Sequence, residues 1–242
     1  MSQIIDKAFI LAAGLGKRLR PYTQHTPKPL VEVAGRSLLE RTLDHLQESG
    51  IKEATINLHY LGDQIENRLK NRPSPRLSFS HESELLDTGG GIKRAIGNFN
   101  GEDFFVLPGD GLWENGPSGD ALERMRKFWD PAKMDILILL QPLNTMILTH
   151  GVGDYDLDPK TGLACRSRDQ KGAYMWTSIR INRSAIFEGT PDTPFSYLTL
   201  LDKAEEAGRL YGLVHDGDWH HISTPEDLES VDKAYCTEGK QL

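Results

Sequence analysis

The sequence predicts an α/β protein built on a mainly parallel sheet with helices on both faces. From its start to about residue 140 the chain alternates strand-like runs with segments of helical period, and that order demands crossover connections. The 242 residues suffice for one large core. A hydrophobic content of 38% and a charged content of 26% are those of an ordinary globular protein.

The elements follow in order. Residues 7–12 read as a buried strand. SLLERTLDHLQESG, 37–50, is a helix with apolar positions at 38, 39, 43 and 46, and Gly50 stops it. EATINLHY (53–60) is the next strand, GDQIENRLKN (62–71) a short helix, and RLSFSHE (76–82) an alternating strand. A helix starts at GGIKRAIGNF (90–99), followed by a buried strand DFFVLPGD (103–110) and a helix GDALERMRKFWD (119–130). Beyond residue 150 the pattern loosens into a hairpin over 151–167, a strand over 173–182, a helix over 195–207, a short strand over 210–214 and a terminal helix over 225–236. No repeat, low-complexity tract or Pro/Gly/Ser-rich linker cuts the chain, so 1–242 is expected to be one unit. Trp129, Phe195 and Tyr197 are open between an interface and the core.

Charge and composition exclude several classes of function. The net charge of −7 argues against nonspecific binding to nucleic acid or to an anionic membrane, which needs a broad basic surface. The most apolar run, MDILILLQPL (134–143), is short for a membrane span and carries Asp135. Asp6 precedes only a brief apolar stretch, which makes a poor signal peptide. Cys165 and Cys236 are too few and too scattered for a disulfide framework or a zinc site, so a reducing cytoplasm is the expected location.

Against that acidic balance, residues 8–30 (AFILAAGLGKRLRPYTQHTPKPL) gather Lys17, Arg18, Arg20 and Lys28 just after a buried strand and a glycine turn. Gly14 and Gly16 let backbone amides approach phosphate oxygens, and the basic side chains supply charge. Pro27 and Pro29 hold Lys28 on stiff backbone, which lowers the entropy lost on binding. The spacing is neither a dinucleotide fingerprint, which needs a third glycine where Leu19 stands, nor a Walker loop. A plain turn with solvated basic residues is the alternative. Thr88, Gly89, Gly90 and Gly91 fall between a strand and a helix, where a planar base can lie on glycine backbone and the helix terminus favours negative charge, or where a left-handed turn is simply needed. Asp110 follows FFVLPG, at the carboxyl end of a central strand, either as a ligand or as an Asx turn or helix cap.

LAAGLGKRLRPYTQHTPKPL resembles the opening motif of the sugar-1-phosphate nucleotidyltransferases, LLDTGGGIKRA (85–95) their second nucleotide motif, LPGDGLW (107–113) their metal-binding strand end, and 195–231 their carboxyl-terminal part. The resemblance implies a Rossmann-like three-layer sheet with a small sugar-binding subdomain, divided into a nucleotide-binding part over 1–130 and a sugar-binding part over 131–242. It implies that Leu11, Ala12, Ala13 and Gly14 contact base and ribose, that Gly16, Lys17 and Arg18 meet the triphosphate, and that Thr88, Gly89 and Gly90 complete the nucleotide site. Lys28 would hold phosphates at the reacting centre, Trp176 and Ser178 would contact the sugar, and Asp110 would ligate Mg2+. The partners implied are a nucleoside triphosphate and a sugar 1-phosphate, joined by in-line attack on the α-phosphate with release of pyrophosphate.

Two departures stand out. Where relatives carry W-x-D-x-G-T-P, this chain has Trp219, His220, His221, Ile222, Ser223, Thr224 and Pro225, with His221 at the aspartate position. Imidazole suits Mn2+ better than Mg2+, so His221 is open between metal ligand, phosphate hydrogen-bond donor and buried structural histidine. Ser178 stands in the run where the family often has glycine, and Pro108 replaces a common asparagine. Among the branches, the TGGG form is most similar to bacterial enzymes that uridylylate N-acetylmuramic acid 1-phosphate, followed by those that guanylylate mannose or heptose 1-phosphates. A nucleotide-sugar sensor that has lost turnover is the alternative of another class.

Overall fold

The computed structural model describes residues 5–239. Its first half holds β1 (Lys7–Leu11), the short strands β2 (Glu32–Val33) and β3 (Arg36–Ser37), α1 (Leu38–Glu48), β4 (Glu53–Leu58), α2 (Gly62–Leu69), β5 (Arg76–His81), α3 (Asp87–Arg94), β6 (Phe104–Pro108), β7 (Leu112–Trp113) and α4 (Ala121–Phe128). The second half holds β8 (Ile136–Pro142), β9 (Tyr155–Leu157), β10 (Ala164–Arg166), β11 (Tyr174–Asn182), α5 (Leu198–Glu206), β12 (Leu210–Val214), β13 (Trp219–His220) and α6 (Pro225–Glu238).

Nine strands form one sheet across both halves. Strands β5, β4, β1 and β6 lie side by side in that order and run parallel. β11 is antiparallel to β6 on one side and to β8 on the other, and β12 extends the sheet parallel to β8. The hairpin β9–β10 pairs with the opening residue of β11. β8 lies within 134–143, the run read in sequence only as too short for a membrane. Residues 136–141 are buried throughout, and a sheet strand covered on both faces has no reason to alternate.

Successive strand residues serve opposite layers. Ala8, Ile10, Phe105 and Leu107 pack with Leu43 of α1, Ile65 of α2 and Met125 of α4. Phe9, Phe104 and Val106 pack with Ile92 of α3 and Leu201 of α5. Helices therefore cover both faces, giving the three layers the alternating pattern predicts. A third cluster joins Val231 and Tyr235 of α6 to Leu19, Val33 and Leu38. Tyr197 belongs to the core, and Trp129 and Phe195 pack against it half-buried.

α3 begins at Asp87, three residues earlier than the sequence suggests. Asp87 takes the left-handed conformation, φ 59°, and binds the Thr88 amide through its own carboxylate, so the turn needs no glycine. The glycines of TGGG are instead inside the helix, where a Cβ on Gly89 would lie 2.3 Å from the Phe195 ring.

Candidate active site

The parallel pair β1 and β6 sets the site. Leu11 lies opposite Pro108, and the Gly109 amide donates to the Leu11 carbonyl at 2.9 Å, so the two strands release their chains side by side. At this edge the strand order turns, β4 lying on one side of the pair and β11 on the other, and ligands of open α/β sheets bind at such carboxyl ends.

The loop after β1 is shaped by Gly16. Its φ is 58°, and a Cβ there would meet Thr23 Cγ2 and Lys28 Cβ at 3.1 Å. The buried Thr23 hydroxyl donates to the Gly16 carbonyl at 2.7 Å, and buried Leu19 ties the following turn, Lys17–Leu19, to the α6 core. Lys17, Arg18 and Arg20 stay exposed. Lys28 reaches across to Asp110, Nζ to Oδ2 at 2.5 Å.

Two cavities meet here. The first, about 440 Å3, is lined by Leu11, Ala12, Ala13, Gly14, Gly16, Lys17 and Thr88 among others. The second, about 690 Å3, is lined by Trp176, Ser178 and His221 together with Asp154, Met175 and the 150–152 segment. Arg18, Lys28 and Asp110 line both, so the three residues read as catalytic from sequence stand at the seam. Gly89 and Gly90 line neither cavity, and their amides donate to the Phe195 carbonyl at 2.9 and 3.2 Å. The Ala12 amide is likewise spent on the protein, donating to Asn57 Oδ1 at 2.7 Å.

Asn57 and Glu82, which sequence reasoning missed, complete the wall of the first cavity. Asn57 Nδ2 donates to Glu82 Oε1 at 2.7 Å, and the Leu86 amide donates to Oε2 at 3.0 Å, linking the ends of β1, β4 and β5 to the entry of α3. Glu82 is 5% exposed. The available signal was an asparagine near the end of the mostly apolar strand ATINL.

His221 is half-buried, and its amide donates to Thr149 Oγ1 at 2.8 Å. Burial, with Lys28 and Arg18 nearby, pushes the imidazole below its ordinary pKa despite Asp110 and Asp227, so it offers a neutral nitrogen lone pair. Among the described residues no group of three or more His, Cys, Asp or Glu side chains could hold a metal. A divalent ion placed at Asp110 and His221 must therefore take further oxygens from water and phosphate, which is how Mg2+ and Mn2+ are bound beside polyphosphates. Ser178 keeps a backbone suited to glycine, φ 67°, within the bulge of β11 between Trp176 and Arg180. Buried Arg180 donates to its carbonyl at 2.9 Å and lies 3.8 Å from the Tyr197 ring centre.

The sequence profile of the nucleotidyl transferase family matches residues 7–145. The N-acetylmuramate alpha-1-phosphate uridylyltransferase of Caulobacter vibrioides is 34% identical over 231 residues, 93% of this chain and 95% of that protein. The mannose-1-phosphate guanyltransferase beta-A of Xenopus laevis is 38% identical over 230 residues, 92% of this chain and 62% of that protein. Among solved structures, HddC from Yersinia pseudotuberculosis in complex with GMP-PN superposes with a TM-score of 0.77 at 26% identity, covering 98% of this chain and all of that one. An Acinetobacter UDP-glucose pyrophosphorylase shares the fold, with a TM-score of 0.80 at 18% identity, over 99% of this chain and 96% of its own. A matched profile, near full-length relatives and the meeting of Arg18, Lys28 and Asp110 between two cavities lead to one conclusion: the chain belongs to the nucleotidyl transferase family, among the enzymes that join nucleotides to sugar 1-phosphates.

Proposed function

We propose that this enzyme makes UDP-N-acetylmuramic acid and pyrophosphate from UTP and N-acetylmuramic acid 1-phosphate. The observation that carries the reading is the pair of cavities meeting on Arg18, Lys28 and Asp110. The nucleoside triphosphate takes the first cavity, the sugar 1-phosphate the second, and the α-phosphate lies at the seam. Uridylyltransferases for this substrate match the chain along nearly its whole length, from Caulobacter vibrioides and, at 29% identity, from Neisseria meningitidis. Residues 1–130 are the nucleotide-binding part and 131–242 the sugar-binding part. Among the described residues no helix is long and apolar enough to cross a membrane.

A phosphate oxygen of the sugar 1-phosphate forms the new bond to the α-phosphorus in line with the departing β-phosphate oxygen. The electron pair of the broken bond leaves with pyrophosphate. The attacking oxygen is already anionic, so no protein base is required. What the protein supplies is alignment and positive charge. Arg18 stabilises the crowded α-phosphate and the departing pyrophosphate. Lys28 leaves Asp110 to hold the two phosphates together. Asp110 and His221 would hold Mg2+ or Mn2+, which when bound neutralises phosphate charge. Thr88 and the Gly14–Gly16 backbone seat the nucleotide, and Trp176 and Ser178 contact the sugar.

A second reading, GTP with mannose 1-phosphate or a heptose 1-phosphate, is favoured by the Xenopus relative and by the likeness to the HddC complex with GMP-PN. Pyrophosphate release from UTP, GTP, dTTP and CTP against N-acetylmuramic acid, N-acetylglucosamine, mannose and heptose 1-phosphates, with Mg2+ and then Mn2+, separates the two. The highest kcat/KM is expected for UTP with N-acetylmuramic acid 1-phosphate. A preference for GTP with mannose or heptose 1-phosphate would transfer the assignment to the second reading, and nucleotide binding without turnover in any combination would leave a sensor.

A further inference from the structure

We propose that Asp154 reads the sugar, accepting hydrogen bonds from ring hydroxyls in the second cavity and so deciding which sugar 1-phosphates are used. The inference rests on the reading above that this cavity takes the sugar 1-phosphate.

Asp154 lies just before β9, on the cavity wall away from the motifs that identify the family. Its position is fixed twice. The Ser167 amide donates to its carbonyl at 2.8 Å, and the Trp176 amide of β11 donates to Oδ2 at 2.9 Å. The other carboxylate oxygen, Oδ1, has no protein donor among the described residues, and no ion pair involves Asp154 there. Burial pushes this carboxyl above its ordinary pKa, more than the Trp176 amide and the field of Arg166 pull it down. A half-buried carboxylate with a vacant acceptor gains from a hydroxyl donor what it has lost in hydration.

The rest of the cavity gives that hydroxyl a direction. Arg18 and Lys28 hold positive charge at the seam, where the sugar phosphate must lie, and Asp154 puts negative charge on another part of the wall. Met175 and Trp176 line the same space and offer apolar surface to ring carbons. A sugar 1-phosphate matches this polarity, with its phosphate toward the cations and its hydroxyls toward the carboxylate. A sugar bearing its own carboxylate has to turn that group away from Asp154.

The test compares wild type with Asp154→Ala and Asp154→Asn, using the most active sugar 1-phosphate of the panel and its monodeoxy derivatives. In Asp154→Ala, KM for the sugar 1-phosphate is expected to rise by about tenfold or more, the loss of one hydrogen bond to a charged group, with KM for the nucleotide unchanged. Asp154→Asn keeps an acceptor for the Trp176 amide and should lose less. One monodeoxy derivative should cost wild type a similar factor and cost Asp154→Ala little more, because the two deletions remove the same bond. An unchanged sugar KM in a folded Asp154→Ala protein, or deoxy losses that simply multiply with it, overturns the inference while leaving the proposed reaction standing. If wild type turns over no sugar 1-phosphate at all, the assignment of the cavity fails and the inference falls with it.

Discussion

Ser178 carries a Cβ in a backbone conformation that costs an L-residue about 1–2 kcal/mol. The bulge of β11 and the Arg180 bond to the Ser178 carbonyl hold it there. Replacement by glycine removes that cost and adds about 0.5–1 kcal/mol of lost chain entropy. Ser178→Gly is therefore expected to raise Tm by roughly 1–4 °C in a protein of this size, whereas Ser178→Val lowers it, with calorimetry as the readout. At the seam, Arg18→Ala and Asp110→Ala should each cut kcat by orders of magnitude with unchanged circular dichroism. Near-normal pyrophosphate release by either variant would remove it from the catalytic set. Arg18, Lys28 and Asp110 were legible in sequence because their spacing within short motifs survives folding. Asn57, Glu82 and Asp154 were not, since each finds its partner on a different strand: Asn57 and Glu82 pair across β4 and β5, and Asp154 meets Trp176. For Gly89 and Gly90, burial against Phe195 decides which way their amides face, and the local motif does not show it.

α1 shows what sequence and structure each contribute to an element. Its apolar period and its stop at Gly50 predict the helix, and Ser37 with Glu40 closes its first turn as a capping box. What the local sequence does not show is that Arg68 of α2 bonds the same carboxylate at 2.9 and 3.1 Å. Burial alone would raise the Glu40 carboxyl, but Arg68 and Ser37 outweigh it and hold its pKa at about 2. A folded pKa depressed below the unfolded value of about 4.3 adds stability that is present above pH ~4.3 and disappears as pH falls through about 2. Glu40→Gln should therefore be less stable than wild type at neutral pH, with the gap closing across that acid window. Denaturant melts at several pH values measure it, and a constant gap would show that the stabilisation does not come from the charge. β8 is the opposite case: its unbroken apolar run lacks a period to read, and only the sheet that covers it shows it to be a central strand.

At the scale of the molecule, two cores hold the layers and a third lies beneath the basic turn of the candidate site. The repeated order of strand and helix made the layers legible, while the third core joins segments far apart in the chain and had no signature of its own. Leu19 is the link, fully buried between the basic turn and α6. Leu19→Ala should cost about 2–5 kcal/mol and raise KM for the nucleotide, because the turn bearing Lys17 and Arg18 loses its floor. A Tm drop with an unchanged nucleotide KM would confine Leu19 to stability. The same link has a consequence in time. The turn follows β1 and α6 lies far later in the chain, so a nascent chain carries its basic turn without α6 beneath it until that helix has been made. The third core can therefore close only after α6 has emerged and docked.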